Sequence, residues 1–333
     1  MRCFFDSRER AHAPAQELHN GAFVPYAEHP GRLETILAAI GETEPAFDHG
    51  EAPLLAVHTQ DYLSFLWSAH KDWRAAGRPG DAAAYAWPVV RRRPLALDRI
   101  DARLGLYSFD ASSPIAEGTW QSAFWAAQTA LTGLDALLAG DRAAFALCRP
   151  PGHHCGADYL GGYCYLNNAA IAAQAAVAAG RRVAILDVDY HHGNGTQDIF
   201  YTRGDVLFVS IHADPVTDYP FFWGHADETG TGDGEGANLN LPLPHGTALS
   251  DYVPVLDRAL EAIARFAPEL LICSYGADTY AGDPISFFRI ETGDYPALAR
   301  RIASLGVPTL VVMEGGYAVD ALGANLAAFL SGF

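Results

Sequence analysis

The chain has 333 residues, half of them hydrophobic, and a formal net charge of −17. A chain of this length can bury a large core, and its acidity argues against nucleic acid as a partner, because phosphates need a basic surface. No stretch approaches the ~20 apolar residues of a membrane span. Five cysteines without a CxxC pair fit reduced thiols better than disulfides or a cysteine zinc site. We therefore predict a cytoplasmic protein without nucleic-acid or membrane partners.

Short apolar runs alternate with longer stretches of helical periodicity along the chain. Strands are predicted at 2–5, 145–148, 183–188, 206–211, 270–274 and 309–313. Helices are predicted at 32–40, 119–139, 168–179, 250–265, 295–305 and 321–330. Continuous apolar strands separated by helices indicate an α/β fold with a mainly parallel sheet covered on both faces. We predict a single domain over 1–333, with an arginine-rich insertion at about 71–105.

Polar clusters follow four of the predicted strands. They are Arg149-Pro150-Pro151-Gly152-His153-His154, Asp189-Tyr190-His191-His192-Gly193-Asn194-Gly195, Tyr275-Gly276-Ala277-Asp278 and Glu314-Gly315-Gly316-Tyr317. Because the carboxyl ends of parallel strands share one edge of a sheet, we expect these clusters to meet there.

Two carboxylates and one imidazole in these clusters predict a catalytic metal site. Asp189 and His191 lie two residues apart, so at the end of an extended strand they point the same way. With Asp278 they form a mixed oxygen and nitrogen set that suits Zn²⁺ and leaves a coordination position open. The alternative is that Asp189 and His191 only cap the following turn.

His153, His154 and Tyr317 are the candidate catalytic residues. One histidine can act as general base on the attacking water while the other stays protonated, and Asp187 and Asn194 are candidates to orient the two rings. Tyr317 can donate a hydrogen bond to the developing oxyanion. A surface loop for the histidines and a packed tyrosine at 317 remain the alternatives.

Other catalytic classes are poorly supported. The sequence contains no P-loop, no GxSxG nucleophile elbow and no GxGxxG after the first strand. Tyr163 and Tyr219 are candidate aromatic walls for an apolar linker, although aromatic residues more often belong to a core.

Together these motifs resemble the histone deacetylase family, and within it the bacterial acetylpolyamine amidohydrolases. The resemblance extends over nearly the whole chain and is most specific at 149–154, 187–195, 276–279 and 314–317. It implies the arginase–deacetylase fold, with a parallel sheet of about eight strands flanked by helices. It also implies a metal-dependent deacetylase that removes acetyl groups from small amines.

The resemblance assigns roles to residues that match the family motifs. It implies Asp189, His191 and Asp278 as ligands of zinc, with Fe²⁺ as an alternative, and His154 as general base. It implies His153 as electrostatic partner and Tyr317 as the carbonyl-polarising group. A structural K⁺ is implied at Asp187 and Ser210, with the backbone carbonyls of Asp189, His191 and Ile211.

The arginase branch of the same fold binds two metals and needs two further aspartates. At those positions this chain has Gly193 and Tyr280, so a single-metal site is favoured.

The arginine-rich insertion at 71–105 predicts a homodimer contact that narrows the active-site mouth, because its arginines would meet acidic surface on the partner. A solvated loop is the alternative.

Resemblance to the polyamine subfamily implies a small cationic acetylated amine as substrate. The channel is expected to include Tyr163, Tyr219 and Ile290. The acid usual at the channel mouth is replaced by Ser112, and Asp110 or Glu117 is the candidate substitute. Acetyl-lysine peptides, or another small amide or ester, are the alternative substrates.

Overall fold

Seven parallel strands form the central sheet of the protein, whose computed structural model describes residues 1–88 and 95–333. Two further strands form a separate antiparallel hairpin, β2–β3. The strands are β1 (Arg2–Phe4), β2 (Gln16–His19), β3 (Ala22–Pro25), β4 (Ala143–Ala146), β5 (Val183–Asp187), β6 (Val206–Ala213), β7 (Asn238–Leu243), β8 (Leu270–Tyr275) and β9 (Thr309–Met313). Their order across the sheet is β1-β4-β9-β8-β5-β6-β7.

Helices cover both faces of this sheet, as the continuous apolar strands predict. They are α1 (Gly31–Ile40), α2 (Ala52–Leu55), α3 (Gln60–Ala75), α4 (Ile100–Leu106), α5 (Thr119–Leu138), α6 (Asn168–Ala178), α7 (Asn194–Phe200), α8 (Leu249–Phe266), α9 (Tyr295–Ala303) and α10 (Val319–Leu330). Buried side chains of α1, α8, α9 and α10 form one core cluster against the sheet. Those of α5 and α6 form another cluster with the sheet strands. Among the described residues, no helix is long and apolar enough to cross a membrane.

The predicted α/β class is confirmed, with seven parallel strands in the described chain where about eight were expected. All six predicted strands belong to the sheet. Strand β7 was not predicted, because its run Asn-Leu-Asn-Leu-Pro-Leu contains a proline, which argues against a central strand. The proline is tolerated here because β7 lies at the edge of the sheet. The β2–β3 hairpin was not predicted either, although Asn20-Gly21 is a turn pair typical of such hairpins.

The predicted insertion at 71–105 starts inside α3 and ends inside α4, and Arg91, Arg92 and Arg93 lie outside the described residues. Arginines of the described part pair within the chain. Arg78 and Arg99 donate to Asp101 at 2.5 and 2.8 Å, and Arg103 donates to Asp72 at 3.1 Å.

Candidate active site

The carboxyl ends of β4, β5, β8 and β9 bring the four predicted polar clusters to one edge of the sheet. Asp189 and His191 follow β5, and Asp278 follows β8. His191 Nδ1 lies 3.3 Å from Asp189 Oδ1 and 3.0 Å from Asp278 Oδ2. One ligand atom from each residue lies within 4.8 Å of the others, and both aspartates are fully buried. The structure therefore brings the predicted metal ligands together.

The electrostatics of this cluster favour a bound cation. Burial and the neighbouring Asp189 raise the pKa of Asp278. Burial also works to raise the pKa of Asp189, but His153 and His191 hold it below its ordinary value. Two carboxylates and an imidazole that crowd around one point, with little solvent, are a donor set that Zn²⁺ accepts. The donor set therefore fits the implied metal.

Backbone amides keep the two carboxylates in place. Tyr190 N donates to Asp278 Oδ1 at 3.0 Å, and Gly315 N donates to Asp189 Oδ2 at 2.9 Å. The backbone at Gly276 lies so close to Asp189 that a Cβ there would stand 2.0 Å from Asp189 Oδ2. This explains why residue 276 is a glycine. The loops after β8 and β9 can therefore pack against the cluster only with small residues.

The two histidines that follow β4 sit in different hydrogen-bonding environments. His153 Nδ1 lies 3.0 Å from Asp187 Oδ2, and His154 Nδ1 lies 2.6 Å from Asn194 Oδ1. Burial lowers the pKa of His153, but Asp189 and Asp187 outweigh this effect and raise the pKa to about 10. Burial and the positive charge of His153 hold the pKa of His154 well below its ordinary value. One ring is thus suited to stay protonated and the other to accept a proton.

Glu314 connects the histidine loop (residues 149–154, after β4) to the tyrosine loop (residues 314–317, after β9). Its Oε2 accepts hydrogen bonds from Gly152 N at 2.7 Å and His153 N at 3.1 Å, and its Oε1 accepts from Ser274 Oγ at 3.0 Å. The carboxylate is fully buried. Glu314 belongs to a predicted motif, but no role could be predicted for it from the sequence. Its contacts join segments that are distant along the chain.

A cavity of about 290 Å³ opens beside the cluster. Tyr317, His154 and His191 belong to its wall, as do both predicted channel tyrosines. The lining residues are Leu18, His19, Asn20, Asp110, Ala111, Ser112, His154, Gly162, Tyr163, His191, Asp218, Tyr219, Phe221, Ile285 and Tyr317.

Tyr163 is held in an uncommon backbone conformation at this wall. Its φ is 66°, in the left-handed region that few non-glycine residues adopt. Its amide donates to Ser113 Oγ at 2.7 Å, and its hydroxyl donates to Glu17 Oε1 at 2.9 Å. Burial raises the pKa of Glu17 to about 7. The β2–β3 hairpin that carries Glu17 was not predicted from the sequence, so its contribution to the cavity wall was not predicted either.

Of the two candidate acids for the channel mouth, only Asp110 reaches the cavity. Its Oδ2 accepts hydrogen bonds from Tyr219 Oη at 2.7 Å and Gly162 N at 2.8 Å. Ser112 also lies in the wall and donates to the same carboxylate at 2.8 Å. Glu117 is exposed and is not among the lining residues.

Ile290, which was expected at the channel, lies instead in the hydrophobic core. It is fully buried and packs with the cluster that α8, α9 and α10 form against the sheet. Its carbonyl accepts a hydrogen bond from Ala281 N at 2.9 Å. Ile285 lies in the cavity wall.

Comparison with known proteins assigns the chain to one family. The histone deacetylase domain family matches residues 26–333. The chain belongs to the histone deacetylase family.

Several relatives within the family match over the full length. The chain is 50% identical to acetylpolyamine amidohydrolase 1 of Pseudomonas aeruginosa, covering 100% of this chain and 99% of that protein. It is 46% identical to the acetylpolyamine amidohydrolase of Mycoplana ramosa, with the same coverage. The solved structure of the acetylpolyamine aminohydrolase from Burkholderia pseudomallei superposes with a TM-score of 0.96 at 42% identity, covering 100% of this chain and 98% of that one. The resemblance to this subfamily is thus confirmed.

Proposed function

We propose that this protein is a metal-dependent amidohydrolase that removes acetyl groups from small acetylated amines, in particular acetylated polyamines and diamines. The observation that carries the proposal is that His154, His191 and Tyr317 line one cavity, while Asp189 and Asp278 are buried beside His191 with their ligand atoms within 4.8 Å of it. The full-length relatives named acetylpolyamine amidohydrolases support the same substrate class.

Asp189, His191 and Asp278 would hold the metal, through one ring nitrogen and one oxygen of each carboxylate. Zn²⁺ suits this mixed set, and Fe²⁺ is the alternative. When bound, the ion would act as a Lewis acid toward the acetyl carbonyl and the attacking water.

The remaining chemistry belongs to side chains of this chain. Asn194 Oδ1 accepts the hydrogen bond of His154 Nδ1–H, so Nε2 of the neutral ring is free to take a proton from the attacking water. The water oxygen bonds to the acetyl carbon, the C–N bond breaks, and His154 returns the proton to the leaving nitrogen. The products are acetate and the free amine. Tyr317 would donate a hydrogen bond from its hydroxyl group to the oxyanion. Protonated His153 would stabilise the negative charge from nearby.

The cavity wall fits a methylene chain that ends in an ammonium group. Tyr163 and Tyr219 supply aromatic surface, and Asp110 supplies a carboxylate on the same wall. The chain's net charge of −17 also favours the approach of cations.

We also propose K⁺ at Asp187 and Ser210, with the carbonyls of Asp189, His191 and Ile211. Asp187 and Ser210 are direct neighbours in the register of β5 and β6, and both are fully buried. A buried carboxylate next to the metal ligands is better accommodated when a cation compensates it.

A homodimer and a cytoplasmic location complete the proposal. Phe222 and Phe23 leave 78% and 72% of their surface exposed, and each lies within three residues of a residue that lines the cavity. Described arginines of the 71–105 insertion pair internally, so the exposed aromatics are the better candidate contact surface. All five cysteines are free, which fits a reducing compartment. Light scattering at micromolar concentration should give twice the chain mass, and the monomer mass would exclude the dimer.

A turnover screen of the zinc-loaded protein tests the substrate class. We expect acetylputrescine or acetylcadaverine to be hydrolysed with a higher kcat/KM than an acetyl-lysine peptide. Faster hydrolysis of acetyl-lysine peptides than of every acetylated diamine would refute the polyamine assignment and favour a peptide deacetylase of the same mechanism. No acetate release from any of these substrates would refute the deacetylase assignment itself.

A further inference from the structure

One peptide group, between Gly316 and Tyr317, is held from both sides by buried charged side chains. Its carbonyl oxygen accepts a hydrogen bond from Arg32 Nε at 2.7 Å. Its N–H donates to Asp283 Oδ2 at 2.7 Å. Because the two polar groups of a peptide lie in one plane, these opposed contacts fix the orientation of that plane, and with it the direction in which the Tyr317 side chain leaves the backbone.

The Asp283 carboxylate has further partners in the same region. Oδ2 also accepts from Ala318 N at 3.1 Å, and Oδ1 accepts from Ile285 N at 3.1 Å. Asp283 is only 6% exposed. Its own amide donates to Tyr280 O at 3.0 Å, so the side chain projects from an anchored turn.

The tyrosine loop needs such an anchor because its backbone is permissive. Gly316 has a φ of 123°, a conformation that L side chains rarely adopt. Glycine loses more conformational freedom on ordering than any other residue. Hydrogen bonds in which one partner is charged are roughly twice as strong as neutral ones. Asp283 as acceptor and Arg32 as donor are therefore suited to fix this segment.

We infer that Asp283 is a positioning residue for Tyr317: it fixes the Gly316–Tyr317 peptide and thereby places the phenol against the reacting carbonyl. The inference rests on the proposed function, because it takes Tyr317 to act on that carbonyl. The same carboxylate binds the amide of Ile285, so it also joins the tyrosine loop to the cavity wall.

Asp283→Asn keeps the shape of the side chain and changes only its charge and its hydrogen-bonding pattern. The carboxylate offers two acceptor oxygens to three N–H donors, whereas the amide offers one oxygen and one NH₂ group. In either orientation of the amide, at least one backbone N–H faces another donor. Asp320→Asn is the matched control, since Asp320 is an exposed acid in the first turn of α10, close to the same loop in sequence.

The first measurement is independent of turnover. Hydrogen exchange followed by mass spectrometry should show faster exchange in peptides that span residues 315–320 of Asp283→Asn, with unchanged exchange in β5 and in Asp320→Asn. Unchanged exchange at 315–320 in Asp283→Asn would overturn the inference, even if the protein were found to hydrolyse no acetylated amine. If Asp283→Asn does not yield folded protein, Asp283→Ser keeps one acceptor oxygen and is subject to the same outcomes.

The second measurement tests whether Asp283 acts through Tyr317. We expect Asp283→Asn to lower kcat about 10–100-fold, the cost of misplacing a reacting group by about 1 Å, with KM and metal content close to wild type. The double variant with Tyr317→Phe should be no slower than Tyr317→Phe alone, because the group that Asp283 places is then missing. Independent, multiplying losses would show that Asp283 acts elsewhere and would overturn the inference. Absence of wild-type turnover refutes the proposed function and leaves the exchange measurement to decide on Asp283.

Discussion

Replacement of Asp110 by asparagine should selectively impair the hydrolysis of substrates that carry a distal ammonium group. Asp110 is half-buried in the cavity wall, where Tyr219 and Gly162 hold its carboxylate in a fixed position. Asparagine keeps one acceptor oxygen for Tyr219 and Gly162 and removes the negative charge, while its NH₂ group replaces the oxygen that now accepts from Ser112 N at 3.1 Å. A substrate without the distal amine is therefore needed to separate loss of the charge from disturbance of the wall.

The expected magnitude follows from the partial exposure of Asp110. Two unit charges about 4 Å apart attract by about 1 kcal/mol in bulk water and by about 4 kcal/mol at an effective dielectric constant of about 20. A half-buried wall lies between these limits, and the ammonium gives up part of its hydration. We expect a net loss of about 1.4–2.7 kcal/mol, which corresponds to a decrease of about 10- to 100-fold in kcat/KM.

The assay compares two substrates of equal length, acetylputrescine and N-pentylacetamide, in which a methyl group replaces the distal amine. The variant should lower kcat/KM for the first about 10- to 100-fold and leave the second nearly unchanged, and the difference should shrink as salt rises. Glu117→Gln serves as the control, because Glu117 is exposed and outside the cavity wall. Equal losses on both substrates, or a larger loss in Glu117→Gln, would refute the role of Asp110.

Further predictions concern the catalytic groups. Tyr317→Phe should fold and retain its metal but lose about 10²–10³-fold in kcat, as removal of one oxyanion donor does; unchanged turnover would assign Tyr317 to packing. Since burial and His153 depress the pKa of His154, the acid limb of kcat/KM should lie below pH 6.5, the ordinary histidine value. Asn194→Asp places a carboxylate where Oδ1 now lies 2.6 Å from His154 Nδ1. It should raise that pKa and move the limb up by about one to three pH units; a limb that stays in place would contradict His154 as general base.

The central strands were predictable because each is a continuous apolar run that ends in a polar cluster. The run 183–187 leads directly into Asp189 and His191, and 270–275 leads into Asp278, so the shared sheet edge followed from the parallel arrangement. The choice between Asp110 and Glu117 could not be made from the sequence, because it depends on how the loop before α5 folds toward Tyr219.

Contacts between distant segments account for what the sequence did not reveal. Glu17 reaches Tyr163, 146 residues away along the chain, only because the β2–β3 hairpin folds against the cavity wall. Arg32 and Asp283 meet the Gly316–Tyr317 peptide from opposite sides, and no local pattern encodes such a juxtaposition. Ile290 was misplaced for the complementary reason, since an isolated apolar residue after a strand fits a core as readily as a channel.

Titration of metal-free protein with Zn²⁺, with acetate release from acetylputrescine as the readout, tests whether Asp189, His191 and Asp278 form a catalytic site for one metal ion. We expect activity to rise with added metal and to reach its plateau at one equivalent per chain. We also expect Asp278→Asn, which lacks one charged ligand, to lose most of both metal and activity at the same metal concentrations. Full activity of metal-free protein, or a plateau that requires two equivalents per chain, would contradict a single-metal deacetylase site at Asp189, His191 and Asp278.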